Sequence, residues 1–146
     1  MKTILSNKYL LLFARFSIAF IFIYAGAEKI SDPDAFAISI SNYRLLPIWT
    51  LNIFAITLPW IEVICGVLLL FGISVKENSS IIFTMLLVFT IAIIISLFRG
   101  LSIDCGCFGK GSMIGLTKLS ENFLMLVGAF LLIAFDSKFL SLESNN

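Results

Sequence analysis

Apolar residues gather in four long runs separated by short polar stretches. Residues 9–27 are interrupted by the single charge of Arg15, and residues 51–71 carry Asn52 and Glu62. Residues 81–98 hold no charge at all. The fourth run is strictly apolar over 123–135. It reaches spanning length over 116–135 only with Lys118, Glu121 and Asn122 included. A helix needs about 20 residues to cross the hydrocarbon core, where its backbone groups must be satisfied internally. The pattern therefore predicts four transmembrane helices, at about 9–27, 51–71, 81–98 and 116–135. A cleaved signal peptide is the competing reading of the first run. Lys2 and Lys8 give it a basic start and Ala25-Gly26-Ala27 resembles a cleavage site. Arg15 inside the apolar stretch counts against it.

The connection between the first two spans has a pattern of its own. Ser31-Asp32-Pro33-Asp34 reads as a helix start, with Ser31 or Asp32 capping and Pro33 in the first turn. Phe36, Ile40 and Tyr43 then recur at helical spacing up to Pro47, which is expected to end the helix. A short interfacial helix fits this connection. The polar stretch 74–80 reads as the turn between the second and third spans. The expected architecture is all-α: one domain over 1–146, an integral membrane four-helix bundle with an interfacial helix between helices one and two.

Composition agrees. Of 146 residues 60% are hydrophobic and 13% charged, about half the charge of an average soluble domain. The surrounding solvent is the lipid bilayer. A net charge of +1 argues against nucleic acid as a partner, because phosphates demand a basic face. With no histidine, the commonest general base and metal ligand are both missing.

An even number of spans puts both termini on one side, with the 31–44 and 100–117 connections sharing the other. Lys2 and Lys8 precede the first span without an acid, which favours cytoplasmic termini in a bacterial inner membrane.

The stretch Asp104-Cys105-Gly106-Cys107-Phe108-Gly109 lies in a connection holding five of the nine glycines. Two cysteines one residue apart can close a disulfide if the backbone bends sharply, which Gly106 permits. So small a ring would be strained, and strained exposed disulfides suit exchange rather than stapling. Arg99 and Lys110 would favour a thiolate, and Asp104 would oppose it. Other readings stay open: a structural disulfide, though closing so short a loop gains little; a metal site, for which the connection offers two thiols and Asp104, so that no metal is expected; or two inert thiols. Cys65, mid-span, reads as a buried small hydrophobe.

Arg15 and Glu62 are costly in a membrane and are candidates for function by default. Counted from the ends of their runs, their depths differ by a few Å, so the two could pair across helices one and two. That pair would act as a clamp, or as a proton or quinone-headgroup site. Glu28, Lys29 and Arg99 close their helices on the side of the cysteine connection. They would either cluster around the thiols or snorkel to headgroups.

Several stretches carry a family resemblance: Ala25-Gly26-Ala27-Glu28-Lys29-Ile30, Asp32-Pro33-Asp34-Ala35-Phe36, Asn42-Tyr43-Arg44-Leu45-Leu46-Pro47, Leu58-Pro59-Trp60-Ile61-Glu62 with Gly66, and Arg99-Gly100-Leu101 leading into Cys105-Gly106-Cys107-Phe108-Gly109. On them the chain resembles the DoxX-like superfamily and, within it, the MauE branch of methylamine-utilisation membrane proteins. The resemblance implies a four-helix inner-membrane protein that supports maturation of a periplasmic, disulfide-rich partner by disulfide formation or transfer. Other DoxX-like members are associated with quinone chemistry, which makes a quinone the cofactor to consider.

The sequence thus predicts a thiol–disulfide redox membrane protein, with Cys105 and Cys107 exchanging electrons with a periplasmic thiol or disulfide protein. Gly106, Arg99, Asp104, Lys110, Glu62, Arg15, Glu28 and Lys29 would support them. The alternative is a non-enzymatic subunit that docks a partner complex through the helix around Phe36 to Tyr43.

Overall fold

The computed structural model describes residues 7–101 and 115–135. Five helices follow in order: α1 (Lys8–Ser31), α2 (Pro33–Asn42), α3 (Ile48–Phe71), α4 (Val75–Phe98) and α5 (Leu116–Phe135). Among the described residues no strand forms, and α1, α3, α4 and α5 are long and apolar enough to cross a membrane. The protein is a multi-pass, all-helical membrane bundle.

Helix α1 is the centre of the packing. It lies along α3 and α5, while α4 leans chiefly on α5. In lipid, helices associate through close van der Waals packing, which small residues at the contact allow. Gly26 and Gly66 supply that contact between α1 and α3. A Cβ on Gly26 would stand 2.6 Å from Val63 Cγ2 and 2.8 Å from the Pro59 carbonyl oxygen. One on Gly66 would stand 2.8 Å from Ile23 Cγ1 and 3.1 Å from the Ala19 carbonyl oxygen. Leu11, Ile18 and Phe22 of α1 join Leu69, Ile82, Leu86, Leu126 and Leu132 in the main core.

The third span begins six residues earlier than its apolar run. The stretch expected as a turn from Ser74 to Ser80 is largely the first two turns of α4. Val75, Asn78 and Ser79 are buried while Lys76 and Glu77 are exposed, so the polar residues obey a helical period. Asn78 Nδ2 donates to the carbonyls of Ile73 at 2.8 Å and Ser74 at 3.1 Å, tying the helix to the turn before it. The turn itself is tight. Gly72, at φ 69°, ends α3 in the left-handed conformation that glycine adopts without a Cβ penalty.

Helix α2 starts as its sequence signals: Asp32 Oδ1 accepts from the Ala35 N–H at 3.1 Å, and Pro33 occupies the first turn. It ends at Asn42, short of Pro47. Arg44, at φ 51°, turns the chain, and Pro47 instead caps the start of α3. Phe36, Ile40 and Tyr43 are all buried, the first two against Leu51 and Ala55 of α3 and Tyr43 beside Ile93 of α4. The apolar face of α2 is thus spent on the bundle. It is not the open contact surface that a docking role for this helix would need.

Candidate functional site

Two charges lie locked inside the bundle at the end that carries α2. Lys29 Nζ donates to both oxygens of Glu62, each at 2.8 Å. The residues are 7% and 3% exposed. The sequence arranges this locally. Gly26 stands one turn before Lys29 and lets α3 approach, and its absent Cβ would sit 3.2 Å from Glu62 Cβ. The Phe36 ring lies 5.1 Å and the Phe89 ring 5.7 Å from the ammonium, so α2 and α4 each lay an aromatic face over the cation. One ion pair therefore ties together four elements. Buried charges are tolerated in a membrane only when paired in this way.

Glu62 is thus held by Lys29, and the pairing that the sequence allowed between Glu62 and Arg15 is not what forms. The depth estimate failed because it aligned the ends of the two apolar runs. The glycine contacts set Gly26 level with Glu62 and Ala19 to Ile23 level with Gly66. Arg15 lies eleven residues before Gly26 along α1, about 16 Å at the helical rise. It is fully buried near the other end of the bundle, its guanidinium carbon 5.4 Å from the Phe16 ring. Asn78 and Ser79, also buried, belong to the same end, beside the α3–α4 turn.

Lys29 points inward, so the snorkelling alternative does not apply to it; Glu28 beside it is partly exposed. Arg99 caps α4 and donates from Nη1 to the Tyr43 carbonyl at 3.4 Å, joining the α4 terminus to the end of α2. Burial pushes the Tyr43 phenol up to about 12, so it stays protonated throughout the physiological range. Cys65 is buried in the main core, one turn past Glu62 and on the side away from α2. Pro59 is buried within α3, while Trp60 is half exposed on its outer face.

Cys105 and Cys107, with Asp104, Gly106 and Lys110, lie outside the described residues. The flanks of that segment do not: Arg99 and Gly100 close α4 and Leu116 opens α5 at the end of the bundle that holds Lys29 and α2. The sequence reading missed the Lys29 partner and the two aromatic rings. The available signal was small residues beside both charges, Gly26 before Lys29 and Gly66 after Glu62.

The Lys29–Glu62 pair is a poor quinone-headgroup site. Both carboxylate oxygens are taken by Lys29, and Phe36 and Phe89 lie over the ammonium.

These features define a membrane protein with four spans among its described residues, a charge pair locked inside the bundle and an interfacial helix at the end that bears the flanks of a cysteine-bearing connection. The chain belongs to the MauE family: the family model described as methylamine utilisation protein MauE matches residues 7–135. The methylamine utilization protein MauE of Methylorubrum extorquens is 34% identical over 88 residues, 60% of this chain and 47% of that protein. Its counterpart in Methylophilus methylotrophus is 30% identical over 108 residues, 73% of this chain and 57% of that protein. That of Paracoccus denitrificans is 32% identical over 98 residues, 66% and 53% of the two chains. The chain spans about half the length of the curated relatives it matches. No solved structure matches it.

Proposed function

We propose that this chain is an inner-membrane thiol–disulfide exchange protein that supports maturation of a periplasmic partner, with Cys105 and Cys107 as the reacting pair. A thiolate of the client attacks one sulfur of the Cys105–Cys107 disulfide. That bond breaks, a mixed disulfide forms, and the freed cysteine leaves as thiolate. A second client thiol, deprotonated, then attacks the client sulfur of the mixed disulfide. The client departs with a disulfide, two electrons poorer, and the loop pair is left as a dithiol. A more oxidising disulfide carrier restores it by the same exchange run in reverse. In this reading Arg99 and Lys110 favour the attacking or leaving thiolate, and Asp104 opposes it. The Lys29–Glu62 clamp ties the end of α1 to the middle of α3 inside the bundle, with Glu28 beside it. Arg15 braces the opposite end, and both termini face the cytoplasm. Kinship with the wider DoxX-like bundles belongs to the same reading.

The observation that carries it is the position of the flanks. Both ends of the cysteine segment meet the bundle at the face built from α2, Tyr43 and the buried ion pair. Membership of a family named for methylamine utilisation supports a role in preparing a partner for that metabolism. The docking-subunit alternative loses support, because the α2 face it would use is buried.

Single Cys105→Ser and Cys107→Ser variants, resolved on non-reducing gels after acid quenching, test the mechanism. One of the two should accumulate a larger species that collapses on reduction, because its remaining thiolate attacks the disulfide of the oxidising carrier and no second loop thiol is left to resolve the mixed disulfide. Failure of both to trap a partner, with partner maturation intact in both strains, would refute it.

A further inference from the structure

Beside the ion pair, between α2, α3 and α4, runs an apolar slot of about 350 Å³. Its outer end is formed by Tyr43, Leu45 and Leu46 of the connection after α2, and its inner end by Thr84 and Met85 of α4. Ala92 to Thr84 is eight residues of helix, so the slot runs about 12 Å from the interface towards the bilayer centre. The volume is at the lower end of the range for binding pockets. Thr84 adds no free polar group, since its Oγ1 donates to the Ser80 carbonyl at 2.9 Å. Length, direction and lining suit one hydrocarbon chain lying along the membrane normal.

The outer end is chemically different. Arg99 reaches the Tyr43 carbonyl at 3.4 Å, on the residue that closes the slot. Arg44, next to Leu45 and exposed, is held at φ 51°, a conformation that costs a non-glycine residue energy. Two arginines, Arg44 beside the lining residues Tyr43 and Leu45 and Arg99 on the Tyr43 carbonyl, therefore border the outer end of a channel shaped for an acyl chain. Guanidinium binds phosphate through paired N–H donors better than any other side chain, and clustered basic residues at the membrane surface attract anionic lipid.

We propose that this slot is a binding site for one anionic phospholipid, an acyl chain seated between α3 and α4 and the phosphate held by Arg44 and Arg99. The lipid fills the gap on the open side of Phe36 and Phe89, the rings that cover the ion pair, and so joins α2 to the bundle. The assignment rests on the slot and its two arginines rather than on the cysteines, although Arg99 serves both readings.

Native mass spectrometry of the full chain, released from nanodiscs containing equal phosphatidylglycerol and phosphatidylcholine of identical chains plus a neutral isoprenoid quinone, tests it. One phosphatidylglycerol adduct should survive activation that strips phosphatidylcholine. The double variant R44Q/R99Q should lower its retention about tenfold. Ala92→Trp should abolish it by filling the slot. Thr84→Trp, which shortens the slot from its inner end, should lose the long-chain lipid yet keep an eight-carbon one; it serves if Ala92→Trp loses its helicity. Phosphatidylcholine held equally well, retention unchanged in the tryptophan variants, or preferential capture of the quinone would each overturn the assignment.

Discussion

Replacing Glu62 by Gln leaves Lys29 buried opposite a neutral amide, and the structure sets the scale of the damage. Lys29 is 7% exposed, and its ammonium gives two hydrogen bonds of 2.8 Å to a single carboxylate. Breaking one side of such a pair typically costs about 3–5 kcal/mol, because the remaining charge is stranded away from water. The Phe36 and Phe89 rings at 5.1 and 5.7 Å face the cation in parent and variant alike, so they do not change the difference. Glu62→Gln should therefore cost about 3–5 kcal/mol, a shift of roughly a hundred- to a few-thousand-fold in the unfolding equilibrium. Lys29→Met should also destabilise, by less where the isolated carboxyl can take up a proton. The double variant K29M/E62L removes both charges and keeps apolar bulk, so it should return to within about 1 kcal/mol of the parent. Reversible unfolding in mixed micelles, followed by circular dichroism, measures the whole cycle. Two single variants as stable as the parent would show that the charges are not sequestered as described. A double variant as unstable as the sum of the singles would show that shape rather than charge holds this site together.

Two further predictions bear on the scaffold. Gly26→Ala should destabilise the bundle by about 1–3 kcal/mol, the usual cost of overpacking, since its Cβ would meet the rigid Pro59 carbonyl at 2.8 Å; an unchanged unfolding midpoint would contradict the α1–α3 contact. Asp32→Ala should cost about 1 kcal/mol through loss of the bond to the Ala35 N–H at 3.1 Å. Hydrogen exchange should show that loss concentrated in the first turn of α2, and uniform protection across α2 would count against the cap.

Most of the architecture was legible in the sequence because the bilayer imposes a length on every span. The start of α5, the Asp32 and Pro33 start of α2 and its Phe36, Ile40 and Tyr43 face all follow from hydrophobic periodicity and capping chemistry. The start of α4 was not legible, because Lys76, Glu77 and Asn78 look like a turn until Asn78 is seen folded back on the Ile73 carbonyl. The partner of Glu62 was hidden for a different reason. Run ends do not report the stagger between antiparallel helices; that stagger is set by where Gly26 and Gly66 let the backbones meet. Aligned by run ends, Glu62 falls level with Ile18; it lies level with Gly26, a shift of eight residues or about 12 Å, which exchanges Arg15 for Lys29. The cysteine pair was conspicuous from its spacing and its glycines, while its surroundings depend on a segment outside the described residues.

The central claim is that Cys105 and Cys107 form an exchangeable disulfide on the periplasmic face. Thiol trapping on intact cells, in a Cys65→Ala background so that the loop pair alone is in view, tests it most directly. A membrane-impermeant maleimide should label the chain only after mild reduction, adding two equivalents from outside. Labelling without any reduction, and only once the inner membrane is permeabilised, would make the pair a cytoplasmic dithiol and contradict both the topology and the exchange mechanism.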